Sequence, residues 1–305
     1  MPMMGRWSRE TADHIMGTGI IRAFLNAIFP PRCLVCRRFL AGSETSRNGF
    51  AETSPGHERR KVEPAADLPA RSRSLLPFPS LAPMAGGLLC SACAHAFAPV
   101  ESPLCRRCGM VFTSREGGDR ICGSCLKSSS RFTMARAAGV YDRTLKVLIH
   151  QLKYRGTIRL AGPLGELLFG AFLRFWDMET VDLVVPVPLH RRKMRQRGFN
   201  QAALLIRNWS TLRAVNPETL PAVVDDQSVL VRWRWTESQA GLGRVERSRN
   251  IRGAFTVQRP AAVAGKRVLL IDDVYTTGAT VGECARVLLK AGAMRVDVLT
   301  LARAL

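Results

Sequence analysis

The stretch VLLIDDVYTTGAT, residues 268–280, decides how this chain folds. Its first four residues are apolar throughout, the composition of a strand with no solvent-facing side. Two adjacent carboxylates follow, Asp272 and Asp273, and then a turn of small residues that leads into a helical pattern near 280–291. A strand, a small-residue turn and a helix in that order present successive backbone N–H groups at a helix N-terminus. Gly278 permits close approach, and Thr276, Thr277 and Thr280 add hydroxyl donors. That half of the stretch is suited to phosphate. The carboxylates repel phosphate, but they accept hydrogen bonds from a vicinal diol and can help to hold Mg2+. A ribose 5-phosphate satisfies both halves. No Gly-Lys-Ser/Thr follows the turn, so this is not a Walker loop.

Working outward, apolar strand patterns alternate with helical ones from about residue 131. Strands are predicted at 134–141, 181–187, 228–231, 253–257, 267–271 and 295–301, and helices at 144–154, near 158–176 and near 199–213. Near-continuous apolar strands separated by helices predict an α/β fold with a mostly parallel, doubly wound sheet. Ligands in such sheets bind beyond the carboxyl ends of the strands, which directs attention to the loops after Val187 and Ile271.

Both loops have basic company. The segment PLHRRKMRQRGFNQ carries Arg191, Arg192, Lys193, Arg195 and Arg197 within seven positions, next to Gly198. Such a cluster is suited to a pyrophosphate, although a solvated basic face would have the same composition. A second basic segment, Gln239 to Arg252, carries Arg244, Arg247, Arg249 and Arg252, with Gly241 and Gly243 as hinge candidates. Lys153 and Arg155 are further candidates for the same mouth.

The first part of the chain carries different chemistry. Eight of nine cysteines form four C-x-x-C pairs, Cys33/Cys36, Cys90/Cys93, Cys105/Cys108 and Cys122/Cys125. Each pair makes a knuckle that aims two thiolates at one ion, so two knuckles complete a tetrahedral zinc site and eight thiolates suffice for two. The spacing C-x2-C-x13-C-x2-C from Cys105 to Cys125 favours joining those two knuckles and leaves Cys33/Cys36 with Cys90/Cys93, though spacing alone leaves interleaved pairing, and one ion against two, open. His95 is redundant beside so many thiols, and Cys284 reads as a core thiol. Residues 41–85 are rich in Pro, Ser, Ala and charge without periodicity, and read as a disordered insertion between the first two knuckles. Ahead of them, residues 15–29 read as a short amphipathic helix, and no stretch has the roughly 20 apolar residues of a membrane span, so a cytoplasmic protein is expected. The formal net charge of +21 favours polyanionic partners but selects no function by itself.

At VLLIDDVYTTGAT the chain resembles the type I phosphoribosyltransferases, and the runs PPRCLVC, LCSAC, LCRRCG, CGSC, LKYRG, VVPVPLHRRKMRQRGFNQA and TESQAGLGRVERSRNIRGAF, in that order, resemble the ComF family, which includes ComFC and GntX-like members. The resemblance implies a type I phosphoribosyltransferase fold over 131–305, a Cys-rich zinc-binding module over 32–130 and a lead segment over 1–31. It implies a site for phosphoribosyl pyrophosphate (PRPP) with Mg2+, in which Asp272 and Asp273 are the catalytic pair on the ribose hydroxyls and Thr276, Thr277, Gly278, Ala279 and Thr280 take the 5-phosphate. Arg191, Arg197 and Gly198 would hold pyrophosphate, and Gln239, Arg244 and Arg247 would belong to a flexible closing loop. Displacement of pyrophosphate at the anomeric carbon by an unidentified acceptor, and a link to DNA uptake in natural competence, are what the family adds. The alternative is a PRPP-sensitive accessory that grips single-stranded DNA without turnover, for which Phe199, Trp233 and Trp235 offer the only stacking platforms among the basic segments.

Overall fold

The computed structural model describes residues 30–40, 79–85, 87–114, 116–127, 130–177, 180–209, 211, 222–223, 228–236 and 244–305. The predicted helix at 15–29, most of the predicted insertion, and Gln239 lie outside the described residues. Five strands form one sheet: β1 (Ala135–Val140), β2 (Leu183–Pro186), β3 (Ala222–Val223), β6 (Arg267–Tyr275) and β7 (Arg295–Arg303), in the order β1-β7-β6-β2-β3. Every neighbouring pair is parallel. The long helices among the described residues are α3 (Arg143–Arg155), α4 (Ala161–Phe175) and α8 (Ala279–Lys290). Shorter ones are α1 (Ser91–His95), α2 (Gly123–Lys127), α5 (Arg191–Arg197), α6 (Gln201–Ile206) and α7 (Arg244–Ile251).

The central strand explains the architecture. Alternate residues of a strand face opposite sides of a sheet. Leu269 and Ile271 of β6 join a core with α3, α4 and α6, while Val268 and Leu270 join a second core with Val281, Cys284 and Leu288 of α8. Both faces are therefore covered, and the sheet is doubly wound as its apolar runs predicted. Each four-cysteine group is sewn into one of these cores: Cys33 lies in the first and Cys105, Cys108, Cys122 and Cys125 in the second. The attachment is polar as well. Thr144 and Gln151 of α3 donate to the carbonyls of Cys93 and Leu34 at 2.9 and 3.3 Å, and the Ala135 N–H of β1 donates to the Arg107 carbonyl at 2.7 Å.

Three readings change. The predicted strands at 228–231 and 253–257 do not enter the main sheet; β4 (Leu230–Arg232) and β5 (Phe255–Val257) pair antiparallel as a separate ribbon. An apolar run signals burial without naming its hydrogen-bonding partner, and Leu230 and Phe255 of this ribbon are buried in the second core with α8. The basic segment after β2 is helical, because RRKMRQR contains only unbranched, helix-favouring side chains and His190 caps it by accepting from the Arg192 N–H at 3.2 Å. The insertion read over 41–85 ends earlier, since Leu81 and Met84 are buried in the first core around a 3-10 turn, Ala82–Met84.

The closest helix contact tests this packing. A Cβ on Gly165 of α4 would stand 2.5 Å from the Leu205 carbonyl oxygen of α6, which is backbone and cannot rotate aside. Gly165→Ala is expected to push α4 and α6 apart and cost about 1–3 kcal/mol of stability, measured by denaturant unfolding. An unchanged midpoint would place the helices farther apart than described.

Candidate functional site

Two constellations lie at the carboxyl edge of the sheet. β6 stays paired with β7 as far as Tyr275, but its pairing with β2 ends at Ile271. The acid pair therefore lies within β6, just past the end of β2. Asp273 is buried, and its Oδ1 pairs with Lys153 Nζ of α3 at 2.7 Å. Its Oδ2 is also buried and has no hydrogen-bond partner. Asp272 is half-buried and accepts from the Asp273 N–H at 2.8 Å. Its carboxyl is pushed up to about 7, first by desolvation and next by the neighbouring Asp273 charge, with Lys153 and Arg232 opposing. Burial alone would push the Lys153 ammonium down, but the charge and hydrogen bond of Asp273 outweigh it and hold it above its ordinary value. One of the two acids is thus buried and paired with a cation from the outset.

The turn that follows is built for close approach. Gly278 has φ 78° and caps α8; a Cβ there would collide with the Tyr275 hydroxyl beneath it. Thr277 Oγ1 accepts from the Ala279 N–H at 3.4 Å, and Arg247 Nη1 of α7 donates to Thr276 Oγ1 at 3.2 Å. The second basic segment therefore reaches the turn through Arg247, while Arg244 begins α7. On the other side of the acid pair, Asn200 donates to the Val187 carbonyl at 3.1 Å and caps α6 through Ala202, holding α5 as a compact excursion closed by Gly198 at φ 82°. Of its cations, Arg191 is exposed and Arg197 donates to Gln201 while its guanidinium lies 5.4 Å from the Tyr154 ring. Lys193 of α5 is half-buried among these cations. Burial, then Arg232, Arg197 and Lys153, depress its ammonium, and Asp273 opposes them. Arg155 turns instead to a groove beside the first knuckle with Arg37, Lys146 and His150.

An open cleft of about 790 Å3 joins the turn to the second cysteine group. Thr276, Thr277, Gly278 and Ala279 of the turn line it together with Cys108, Ser124, Ser130 and Phe132. Arg131, Arg249, Arg252, Arg286 and Arg303 also line it. Neither the acid pair nor α5 does. Sequence reasoning missed Arg303, Arg232 and Arg131. Arg303 ends an apolar strand and Arg232 lies in a Trp-rich run, so neither carries a motif signal of its own.

The metal-ligating groups are Cys33, Cys36, Cys90 and Cys93, and Cys105, Cys108, Cys122 and Cys125, each with its sulfurs within 4.8 Å of one another. The Cys36–Cys90 and Cys108–Cys122 sulfur separations are 3.6 and 3.7 Å. A tetrahedron with the usual Zn–S bond has an edge of roughly 3.8 Å, so both sets fit zinc. In the second group the Cys105 sulfur accepts from the N–H groups of Cys108 and Cys122 at 3.5 and 3.4 Å, and Arg303 Nη2 donates to Cys108 Sγ at 3.6 Å, which offsets thiolate charge. His95 bonds its own helix through Ser91 and takes no place in either set. Cys284 is buried in the second core, as its apolar surroundings predicted.

Comparison with known proteins agrees with this geometry. A double zinc ribbon domain model matches residues 82–126, a span that holds three of the four knuckles. The DNA utilization protein YhgH of Escherichia coli strain K12 is 34% identical over 220 residues, covering 71% of this chain and 91% of that protein. The chain belongs to the ComF family. Competence protein F of Haemophilus influenzae is 29% identical over 223 residues, covering 71% of this chain and 90% of its own length. Competence protein ComFC of Bacillus subtilis is 26% identical over 222 residues, covering 70% and 84%. The ribbon match and the two cysteine groups make the N-terminal part a zinc-binding module. Among the described residues, no helix is long and apolar enough to cross a membrane.

Two measurements check this site. Elemental analysis should give two zinc ions per chain, and Cys105→Ser should remove about one and lower the melting temperature, because ligand geometry is also folding energy. Asp272 provides the second. Its folded carboxyl titrates near 7 against an ordinary 3.8, so the folded state binds the extra proton and stability falls as pH rises through that window. Asp272→Asn cannot ionise. Its melting temperature relative to the unmodified protein should therefore rise between about pH 4 and 7 and level off above, whereas a pH-independent difference would remove the desolvation account.

Proposed function

We propose that this ComF-family protein binds PRPP with Mg2+ at the acid pair and the Thr276–Thr280 turn, and transfers phosphoribose from it to an acceptor in the service of DNA use. The observation that carries the reading is the juxtaposition, on one strand-turn-helix, of a carboxylate pair with a glycine-pinned phosphate turn that Arg247 already reaches. Asp272 and the free Oδ2 of Asp273 would accept from the ribose hydroxyls, and they are also the groups suited to Mg2+, whose role would be to neutralise charge on the phosphates. The N–H groups and hydroxyls of residues 276–280 would seat the 5-phosphate. As the bond to pyrophosphate breaks, charge grows on its oxygens, and Arg191, Lys193 and Arg197 would stabilise it electrostatically. The link to DNA comes from the names of the relatives, a DNA utilization protein and two competence proteins.

A second reading, binding without turnover by a single-strand-binding accessory, is favoured by Trp233, 62% exposed beside the basic helix α5, and by Trp235, which lies against His190 and Arg192. Pyrophosphate release over a panel of bases and amines separates the two.

The PRPP site itself is tested by calorimetric titration with Mg2+ present. Asp272→Asn is expected to fold and to weaken PRPP by about ten- to a hundredfold, the worth of a charge-assisted hydrogen bond. Asp273→Asn should lose affinity and also about 1–3 kcal/mol of stability, since Lys153, half-buried, would lose the partner that holds it. Unchanged PRPP affinity in both variants would refute the ribose reading.

A further inference from the structure

The cleft beside the turn is larger and more positive than the 5-phosphate of one sugar needs. Five arginines line it, and its one acid, Glu283, is already engaged by Arg286 at 2.8 Å and by the Gly253 N–H at 2.6 Å. Its 790 Å3 is the size of a whole small-molecule site. Arg303 points to what would fill it. The residue is 7% exposed and lines the cleft; Nη2 is held by Cys108 Sγ and the guanidinium carbon lies 4.1 Å over the Tyr275 ring. Nε and Nη1 are buried without any hydrogen-bond partner. Buried charged donors without an acceptor are costly, and anionic oxygen is the acceptor that suits a guanidinium. If Arg303 served only to offset the zinc thiolates, the one nitrogen on Cys108 would be enough. Ser124, Ser130 and Gly282 also line the cleft, and residues this small leave room for such a group.

We propose that this cleft, walled jointly by the second zinc ribbon and the phosphate turn, binds a second phosphate ester of nucleotide size beside PRPP, with its phosphate on Arg303 and Arg131. The proposal rests on the turn being the seat of PRPP only in placing the two ligands side by side. A free nucleotide and the terminal phosphate of a DNA strand share this chemistry, and the cleft's volume assigns the free nucleotide.

The test uses the full-length zinc-loaded protein and calorimetric titration with the four common nucleoside 5′-monophosphates, their nucleosides and a short oligodeoxythymidylate, with and without saturating PRPP and Mg2+. At least one monophosphate should bind in the presence of PRPP about tenfold or more tightly than its nucleoside. Arg303→Met should weaken that binding by about tenfold while PRPP affinity changes less than about threefold and zinc content stays at two per chain. Should Arg303→Met lose zinc or fail to fold, the rim variants Arg131→Glu and Arg286→Glu carry the test, with the same expected loss. Competition between monophosphate and PRPP, equal binding of nucleotide and nucleoside, unaltered nucleotide affinity in the folded variants, or binding of the oligomer alone would each overturn the proposal. Absence of PRPP binding would sink the PRPP reading separately, because the nucleotide titration without PRPP still reports on the cleft.

Discussion

The nine residues of β6, hydrogen-bonded to β7 along most of their length but to β2 only as far as Ile271, set the terms for the rest of the molecule. Where both neighbours flank the strand, its side chains must be apolar on both sides, and helices must cover both faces. Where β2 has ended, the same strand can carry polar groups at the sheet's edge without leaving its ladder. Asp272 and Asp273 stand at that transition. The acid pair is thus rigid because it remains part of the sheet, and Asp272 keeps partial exposure while Asp273 is buried on Lys153.

Rigidity here has an electrostatic cost that the surrounding helices meet. Two adjacent carboxylates in a low-dielectric setting cannot both ionise freely. Lys153, brought in by α3, neutralises Asp273, and the burden falls on Asp272, whose carboxyl rises to about 7. A ligand that donates hydroxyl protons or brings positive charge relieves that burden. Binding of such a ligand would therefore be coupled to protonation at this pair, and α3, which also holds the first cysteine group through Thr144 and Gln151, is the element that joins that group to the acids.

Much of this was legible in the sequence, and the reasons differ by element. The strands β1, β2, β6 and β7 were visible because burial on both faces leaves largely apolar runs, broken only at a few positions such as Arg136 and Asp297. The zinc groups were visible because a C-x-x-C knuckle is a local geometric requirement; spacing favoured their pairing but left an interleaved one open, and the structure brings Cys33, Cys36, Cys90 and Cys93 together and Cys105, Cys108, Cys122 and Cys125 together. The 3-10 turn around Leu81 was hidden, since its burial comes from tertiary packing and its neighbours are compositionally disordered. The pairing of β4 with β5 was hidden for a similar reason: strand partners are chosen over long range. Lys153 was only a candidate because a lysine on a helix carries no sign of the buried acid it will meet. Arg303 had no signal at all, as nothing in LTLAR shows that a zinc ligand and a cleft lie alongside it.

The first ribbon joins Cys36 to Cys90, 54 positions apart, across the whole of the Pro- and Ser-rich stretch. Closing a chain segment costs an entropy that grows only logarithmically with its length, about 0.6 kcal/mol for each doubling. Both ends of the excursion meet at one four-cysteine group, and Cys93 and Leu34 beside them are held by α3. By that measure, doubling the length of chain between these two knuckles would cost far less than one misplaced side chain in β6.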